Sequence, residues 1–448
     1  MSLLLAGCAS KSERAIARLQ SPAAEERRRA AEELGALKDA RGVDALIAAL
    51  RDREPEVSGA AARALSEIGD ARALPALVAC FADERRLKAP ATPAPPQSVT
   101  IHYLPGGRRI VEGPDLELEQ DSVRGVAARA VIRFGPRAVE ELLRAIEDTQ
   151  RAERHEAAYF ALGGLREPRA VPILVAALRS GDAHVGAASR ALVKIGPPAI
   201  EPLYSALPGV ADDFSARVFG RTLGSIPPAD VERLLAYVKA REKGPRRAAI
   251  AALGASGNEK AAPALAAILG DTDVSDDVSE ALKALGPAAV PAVLSVLQKP
   301  GACVPYFDNC SEYVRSSAAG VLGSVTEPAV FERLLPMLEH PNSEIAEAAA
   351  TAIGSQATSG SKPAVEFLER KLEEGDLRMV ARVSNYYAST VNGQTRADAQ
   401  VLLAALRQHG NRDLCESLLN TGDEKLRRAA QAWAAEHGYR VESLRLPH

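Results

Sequence analysis

The chain has 448 residues, a formal net charge of −3 and a pI of about 6.2. Hydrophobic residues make up 47 % of it but aromatic residues only 4 %, so the core must be built from Ala, Leu, Val and Ile, which suit closely stacked helices better than one large globule. The low pI and mixed charges argue against a nucleic-acid binder, which usually has a basic stripe. We expect the arginine clusters at residues 27–29 and 246–247 to be solvated helix surface.

The first residues resemble a bacterial lipobox at Leu5-Ala6-Gly7-Cys8. In a lipoprotein the cysteine is lipidated, and residues 10–12 would then begin a polar tether. A secretory signal also has a basic segment and an apolar stretch of about 7–15 residues, which residues 1–7 lack. Either the true start lies upstream and Cys8 anchors the chain to a membrane of the bacterial envelope, or the match is chance and the N-terminus is cytosolic. We favour the lipoprotein. Elsewhere no apolar run approaches the roughly 18–20 residues that span a bilayer.

An Ala-Ala pair inside an amphipathic helical pattern recurs along the chain. Four steps between successive pairs are 30 or 31 residues, and the longer steps correspond to skipped or interrupted periods. A fixed period of this size indicates a stacked-repeat protein. The pairs begin at Ala30, Ala61, Ala127, Ala157, Ala187, Ala248, Ala318 and Ala348.

Each period predicts two helices. A short apolar helix, such as residues 171–178, often has proline in its opening turn, where the missing N–H costs nothing. A polar turn follows, and then the Ala-Ala helix, with apolar residues at helical spacing such as Val57, Ala61 and Leu65. Neither helix can bury its apolar face alone, so neighbouring pairs must stack. Glycines are predicted to end the Ala-Ala helices in the left-handed conformation, at Gly35, Gly69, Gly135, Gly163, Gly196, Gly254, Gly286, Gly323 and Gly354.

Residues 84–120 interrupt the repeats. The prolines at positions 90, 93, 95 and 96 cannot be helical. The alternating residues 98–104, the turn Pro105-Gly106-Gly107 and residues 108–111 predict a β-hairpin. Insertions in a repeat array collect on one face, which often binds partners, so we expect a ribbon that grips a partner; the alternative is a loop packed on one edge of the array. The candidate contact residues are His102, Tyr103, Arg108 and Arg109.

A second insertion, residues 300–311, contains Cys303 and Cys310. The paired Cys-x-x-Cys groups typical of zinc sites are missing, so a disulfide is the simpler expectation outside the cytosol. It would stabilise the loop by about 2–3 kcal/mol. Tyr306 and Phe307 would then lie at an exposed tip as further contact candidates. The remaining cysteines of the repeats, Cys80 and Cys415, fall in helical patterns and are predicted to be buried, inert thiols.

Two segments carry a family resemblance: Val123-Arg124-Gly125-Val126-Ala127-Ala128 and Val314-Arg315-Ser316-Ser317-Ala318-Ala319. Their pattern of Val-Arg, two free positions and Ala-Ala resembles the HEAT-repeat family, in the short bacterial form also seen in phycobilisome-lyase-type proteins. The resemblance covers roughly residues 22–438 apart from the insertions. It implies an all-α fold, a right-handed α-solenoid of about eleven or twelve helix pairs with one small β-hairpin-like insertion. A shared fold does not transfer function.

The predicted organisation follows from these segments. Residues 1–21 are the lipobox and tether, residues 22–83 and 121–375 are repeats, and residues 376–448 are divergent helical repeats. Within the last region, residues 424–437, with Ala429-Ala430 and Trp433, predict a terminal capping helix.

Some HEAT-like proteins are enzymes, so catalytic groups need a search. Deoxyhypusine hydroxylases hold two irons with several His-Glu pairs, whereas this chain has the pair His155-Glu156 alone in that order. Aligned on the Ala pairs, those positions elsewhere hold Gly125-Val126, Ser316-Ser317 and Arg28-Arg29, so we expect His155 to be a solvated helix residue. Bilin lyases share the repeat style, but the 7 histidines and 1 tryptophan are spread along the array and suggest no tetrapyrrole pocket. Both enzyme classes remain the less favoured alternative.

The sequence therefore predicts a non-catalytic, protein-binding scaffold of the bacterial cell envelope, tethered through Cys8 and facing the periplasm. Its second helices would form a concave inner surface, to which the insertions add contacts. We expect a protein partner, and no cofactor, metal, nucleic acid or small-molecule substrate. A cytosolic protein–protein adaptor is the alternative.

Overall fold

The computed structural model describes residues 10–87, 100–103, 109–112, 121–181, 184–211, 213–299, 310–374 and 424–439, and the single residues 379, 383, 415 and 419. The chain divides into two compact units. Unit 1 is Met1–Ala229 with Ala240–Ala248, and unit 2 is Asp230–Lys239 with Ala249–His448.

Helices dominate both units. Those of unit 1 are α1 (Lys11–Arg18), α2 (Ala24–Leu37), α3 (Val43–Ala49), α4 (Pro55–Ile68), α5 (Leu74–Ala79), α6 (Val123–Ile132), α7 (Val139–Glu147), α8 (His155–Leu165), α9 (Val171–Ser180), α10 (Val185–Ile195), α11 (Ile200–Ala206) and α12 (Asp213–Gly224). Next come α13 (Val231–Val238) and α14 (Lys243–Ala255). Unit 2 continues with α15 (Ala262–Ala267), α16 (Ser275–Leu285), α17 (Val290–Gln298), α18 (Cys310–Gly323), α19 (Pro328–Leu334), α20 (Ser343–Thr358), α21 (Lys362–Glu373) and α22 (Glu424–Glu436).

Odd- and even-numbered helices alternate as the two helices of each repeat. The short odd helices from α1 to α11 and from α15 to α19 each pack on the even helix that follows, as α1 does on α2 and α9 on α10. In unit 1 the even helices also form a row, because α2, α4, α6, α8, α10 and α12 each pack on the next. In unit 2, α16 packs on α18 and α18 on α20. This stacking is that of an α-solenoid, so the predicted fold is confirmed.

Short capped turns lead into many odd helices. Asp39 and Asp70 each accept a hydrogen bond from the backbone N–H two residues later, at Arg41 and Arg72, which starts a 3-10 turn before α3 and α5. The Arg72 side chain then reaches back to Asp44 of α3, at 3.3 Å. Each turn therefore satisfies one backbone N–H just before the new helix, and the second turn also links α5 to α3.

The even helices share one buried apolar position, which we call the register residue. Its side chain lies in the core, and none of the ten examples is more than 3 % exposed. This position fixes the alignment of the repeats independently of the Ala pairs. The register residues are Leu34, Leu65, Val131, Leu162, Leu192, Leu223, Leu253, Leu282, Leu322 and Ile353.

Several glycines do not end helices as predicted. Gly163 and Gly254 directly follow register residues and remain inside α8 and α14. A Cβ added to Gly163 would lie 2.8 Å from Ala191 Cα, and one added to Gly254 would lie 2.6 Å from Ala281 Cα. Glycine is required there because the next even helix approaches closely. The left-handed ends follow later: at Arg166 after α8, with φ 53°, and at Gly257 after α14, with φ 63°. Gly69, Gly196 and Gly286 do end α4, α10 and α16 with positive φ, but Gly69 alone of the three is left-handed, with φ 71° and ψ 21°.

The predicted hairpin is present in the backbone. Strand β1 (Thr100–Tyr103) pairs antiparallel with β2 (Arg109–Glu112), with Tyr103 opposite Arg109. Strand β2 lies against α10. Where the insertion leaves the repeats, Arg86 pairs with Ser122 in an antiparallel bridge. The insertion is therefore rooted between α5 and α6, and its second strand lies along the array of unit 1.

One described stretch has the length and apolar composition of a membrane span. It is Ser275–Gln298, with a mean hydropathy of 1.4, and 44 % of its most apolar window is buried inside the chain. Gly286 interrupts this stretch with φ 57°. The stretch therefore forms two helices, α16 and α17, and both pack against other helices of unit 2. We assign it to the repeat core.

The predicted C-terminal helix and the two buried thiols are present. α22 carries Trp433, which is 8 % exposed and stacks on His437 with ring centroids 4.1 Å apart. Cys415 donates from Sγ to the Ala430 carbonyl at 3.2 Å. Burial raises the pKa of Cys80 to about 11, so this thiol is a poor nucleophile at neutral pH.

Candidate functional site

The side chain seven residues before each register residue points between repeats, and we call this position the interhelical position. In α2 it holds Arg27, which is 7 % exposed. Its guanidinium forms an ion pair with Asp52 and donates to the carbonyls of Ser21 and Pro22, at 2.9 and 3.1 Å. The prediction that Arg27 is solvated surface is therefore wrong. Arg28 and Arg29 do lie at the surface, paired with Glu25.

Other repeats fill the same position in different ways. In α18 it holds Arg315, which is 8 % exposed, pairs with Glu344 and donates to the Leu297 carbonyl. In α4 it holds Ser58, and Arg85 enters from the root of the insertion and donates to the Asp52 and Arg53 carbonyls at 2.8 and 3.1 Å. A cation thus joins consecutive repeats in both cases. This position stabilises the array and is not open to a partner.

His155 occupies the interhelical position of α8, which corrects the prediction that it is solvated. The residue is 9 % exposed, and its Nε2 lies 3.2 Å from the Asp148 carbonyl oxygen, to which it can donate. The His184 ring is 6.0 Å away, edge-on. Alignment on the Ala pairs placed His155 one residue away from its true repeat position. The register residue Leu162 lies four residues after the second alanine of its pair, whereas Leu34 lies four residues after the first alanine of its pair. Among the described residues, no group of three or more His, Cys, Asp or Glu side chains could hold a metal ion.

The residue two before each register residue lies on the opposite side of the helix, because two residues turn an α-helix by about 200°. Within each unit these side chains form a line across the even helices, and we call this position the outer line. None of those in unit 1 is buried. From α2 to α12 the outer line holds Glu32, Arg63, Arg129, Phe160, Arg190 and Arg221; in unit 2 it holds Ala251, Glu280, Gly320 and Thr351.

Small residues lie one turn before two of these arginines. A Cβ added to Gly186 would be 3.5 Å from a terminal nitrogen of Arg190, and one added to Gly59 would be 3.8 Å from that of Arg63. A helical side chain leans toward the N-terminus of its helix, so the glycines give each guanidinium room to lie along the helix surface. Burial lowers the pKa of Arg190, and the neighbouring Glu156 opposes that shift.

An aromatic residue continues the line where arginine is missing. Phe160 of α8 is half-buried, and the Nζ of Lys194, on α10, lies 4.9 Å from the centre of its ring. This is the distance range of a cation–π contact. The outer line of unit 1 therefore carries four arginines and one aromatic ring, each exposed or half-buried, on a row of packed helices.

The structure places only part of the residues predicted as partner contacts. His102 and Tyr103 lie on β1 and Arg109 on β2. Cys310 is the first residue of α18. The other predicted residues lie outside the described part of the chain: Cys8, Arg108, Cys303, Tyr306 and Phe307. The lipidation, the disulfide and the contacts of both insertions stay predictions.

Both insertions arise from the same kind of turn. Residues 84–120 lie between α5 and α6, and residues 300–309 between α17 and α18. Each connects an odd helix to the following even helix, whereas the turns from even to odd helices are short. The insertions thus emerge beside the N-terminal ends of even helices, where the interhelical position also lies.

Comparison with known proteins gives a family match. A family model described as HEAT repeats matches residues 12–92, 116–193, 200–286 and 304–385, which is more than half of the chain. No match was found among curated proteins.

Solved structures of low identity also match. An engineered protein shares 19 % identity, with 95 % of this chain and 98 % of that chain covered and a TM-score of 0.25. The complex of CpcE and CpcF of phycocyanin lyase from Nostoc sp. PCC7120 shares 24 %, covering 64 % and 93 %, with a TM-score of 0.25. Kap121p shares 14 %, covering 95 % and 49 %, with a TM-score of 0.41. Such distant likeness does not transfer function.

Proposed function

The chain belongs to the HEAT-repeat family, and from that premise we propose that it is a non-catalytic scaffold that binds a protein partner on the exposed face of its even helices. A stacked array of repeats presents an extended, regular surface. Binding on such a surface requires only that exposed side chains be held in fixed positions.

The observation that carries this proposal is the outer line. Consecutive even helices of unit 1 are packed directly together, and each places one exposed or half-buried side chain at an equivalent position. Their backbones are fixed by the buried register residues and by close contacts such as that of Gly163 with Ala191. A partner segment that crosses these helices would therefore meet a preorganised row of contacts, which reduces the entropy lost on binding.

We further propose that the scaffold acts in the bacterial cell envelope, anchored through a lipid on Cys8 and facing the periplasm. The support is the Leu5-Ala6-Gly7-Cys8 pattern. An oxidising compartment would also suit a Cys303–Cys310 disulfide, which would hold Tyr306 and Phe307 at a loop tip. The two insertions would then add specific contacts beside the even helices, with His102, Tyr103, Arg108 and Arg109 in the first.

Capture of the partner, followed by reconstitution, tests the scaffold proposal. The full chain is used as bait in separate membrane, periplasmic and cytosolic fractions of the native cells, and each captured protein is then purified and titrated against the purified chain. We expect at least one protein to form a stoichiometric complex and to remain chemically unchanged. A captured protein that is modified on incubation would contradict a non-catalytic role. A partner found only in the cytosolic fraction would favour the adaptor alternative.

A further inference from the structure

Four arginines occupy the outer line of unit 1: Arg63 on α4, Arg129 on α6, Arg190 on α10 and Arg221 on α12. Phe160 of α8 fills the position between the second and the third. We call these five residues the arginine column. Arg63 and Arg221 are exposed, and the other three residues are half-buried. The column starts after Glu32 and ends before Ala251, so it is confined to neighbouring even helices of one unit.

The surroundings of the column are basic, although the chain as a whole is slightly acidic. Helices α4, α6, α8, α10 and α12 and residues 243–248 of α14 carry ten basic side chains and four acidic ones, Glu56, Glu67, Glu156 and Asp213. By contrast α2 has three basic and four acidic residues, and α16 has one and three. The ten basic residues are Arg63, Arg124, Arg129, Arg190, Lys194, Arg217, Arg221, Lys243, Arg246 and Arg247.

The spacing of the column suits an extended polypeptide. Packed helix axes lie about 8–10 Å apart, so the four steps from α4 to α12 cover roughly 32–40 Å. An extended chain in the polyproline II conformation rises about 3.1 Å per residue with about three residues per turn. A segment of about ten to thirteen residues would therefore span the column, with every third side chain on the side that faces an arginine or Phe160. A guanidinium binds a carboxylate through two parallel hydrogen bonds.

A nucleic acid fits this spacing less well. Each strand carries a phosphate about every 3.4 Å along the duplex axis, which is far denser than one guanidinium per helix. The carboxylates of Glu156 and Asp213 would also repel a continuous row of phosphates. A polypeptide can place its acidic residues where the arginines are and small or apolar residues near Phe160.

We propose that unit 1 binds an extended acidic segment of its partner along the arginine column. This inference rests on the proposed scaffold function and names the chemistry of the segment that the scaffold recognises: carboxylate side chains about three residues apart, with an apolar or aromatic residue in the middle for Phe160. The binding is electrostatic at the surface, so it weakens as the salt concentration rises.

The test uses a fluorescent synthetic peptide of about twelve residues, with Glu at every third position and one central Leu. Its matched control carries Gln in place of every Glu, and a single-stranded DNA oligonucleotide of similar length tests the competing ligand. Binding to the full chain is measured by fluorescence anisotropy at low salt. The column variant is R63Q/R129Q/R190Q/R221Q. The charge-matched control variant is R51Q/R144Q/R169Q/R179Q, which changes exposed arginines of unit 1 that lie outside the even helices.

We expect the Glu peptide to bind the wild-type chain and the control variant alike, and the column variant to lose at least about tenfold in affinity, because each exposed charge pair contributes a modest amount. The double variant R63Q/R221Q changes only exposed side chains and should lose about threefold in affinity for the Glu peptide. It replaces the quadruple variant if circular dichroism shows that the quadruple variant does not fold. The Gln peptide should bind no variant.

Three results would overturn the inference: equal binding of the Glu peptide to the wild type and the double variant, equal binding of the Gln peptide, or tighter binding of the DNA than of the Glu peptide. These failures are separable from failure of the scaffold proposal. If a purified native partner binds the double variant and the wild type equally, the scaffold stands and the column is excluded. If no protein partner is captured at all, the scaffold itself fails.

Discussion

The guanidinium of Arg27 forms a two-point ion pair with the carboxylate of Asp52 in the next repeat, with Nε–Oδ2 at 2.7 Å and Nη2–Oδ1 at 2.8 Å. The two side chains are 9 % and 12 % exposed. The pair closes the gap between α2 and the turn that precedes α4. The outer line requires aligned even helices, so it also depends on buried contacts between repeats, such as the Arg27–Asp52 pair.

Removal of the arginine should destabilise the N-terminal repeats. Arg27→Ala leaves Asp52 and the Ser21 and Pro22 carbonyls without their donor, and breaking a buried pair costs about 3–5 kcal/mol. Because this pair keeps some exposure, we expect about 2–4 kcal/mol in urea unfolding. The matched control is Arg29→Ala, whose side chain is 69 % exposed and which should change stability by less than about 0.5 kcal/mol. If the two substitutions changed the free energy of unfolding equally, the interhelical position would contribute no more to stability than an exposed arginine does.

The same pair predicts a dependence on pH. Burial alone would raise the pKa of Asp52, but the hydrogen bonds from Arg27 outweigh it and hold the pKa below its usual value. A carboxyl whose pKa is lower in the folded state contributes stability above its unfolded pKa of about 3.9, and this contribution is lost as the pH falls through the folded value.

Urea unfolding between neutral and strongly acidic pH measures this contribution. The wild type should lose stability on acidification below about pH 4, and Asp52→Asn should remove part of that loss. Asp44→Asn is the control, because Asp44 is 81 % exposed. An identical pH slope in Asp52→Asn and wild type would show that the pair with Arg27 does not couple to folding.

His155 provides a test of the corrected alignment. A buried polar side chain at the interhelical position fills space and donates toward the Asp148 carbonyl, so His155→Ala should cost about 1–3 kcal/mol. Glu153→Ala, in the exposed turn before α8, should stay within about 0.5 kcal/mol. If both variants unfold at the wild-type urea concentration, His155 is a surface residue after all and the alignment on Ala pairs is restored.

The prediction of lipidation concerns Cys8. Expressed with a complete export signal, the wild type should fractionate with membranes, because lipidation through several chains gives stable anchoring whereas one chain is marginal. Cys8→Ala should be recovered in the soluble fraction, and Cys80→Ala, a buried thiol of the repeats, should behave as the wild type. If all three proteins were recovered in the soluble fraction, the proposal of a lipid-anchored envelope scaffold would be wrong, and the cytosolic adaptor would be favoured.

The sequence predicted the solenoid because the repeat is a local signal. The Ala pairs and the apolar spacing reflect helix packing within about 30 residues, and the hairpin pattern at residues 98–111 is equally local. Arg27 and His155 were predicted to be solvated because their burial depends on the following repeat. The pattern of a single helix gives no information about contacts with another repeat. Alignment on Leu34, Leu65 and Leu162 instead of the alanines would have placed both correctly.

The arginine column was also present in the sequence but hidden by the insertion. Arg129, Phe160, Arg190 and Arg221 are 30 or 31 residues apart, whereas Arg63 precedes Arg129 by 66. Considered one at a time, each of the four arginines looks like an ordinary solvated residue of a helix surface. Their alignment on neighbouring helices becomes visible only when the packing of α4, α6, α8, α10 and α12 is known.

The central claim is that a protein partner binds the exposed face of the even helices, and hydrogen–deuterium exchange of the full chain with and without the purified native partner tests it most directly. We predict added protection in consecutive even helices of unit 1, from α4 to α12, with little change in the odd helices α3 to α11. Protection confined to the odd helices, or to residues 84–120 alone, would contradict the claim and transfer recognition to the other face or to the insertion.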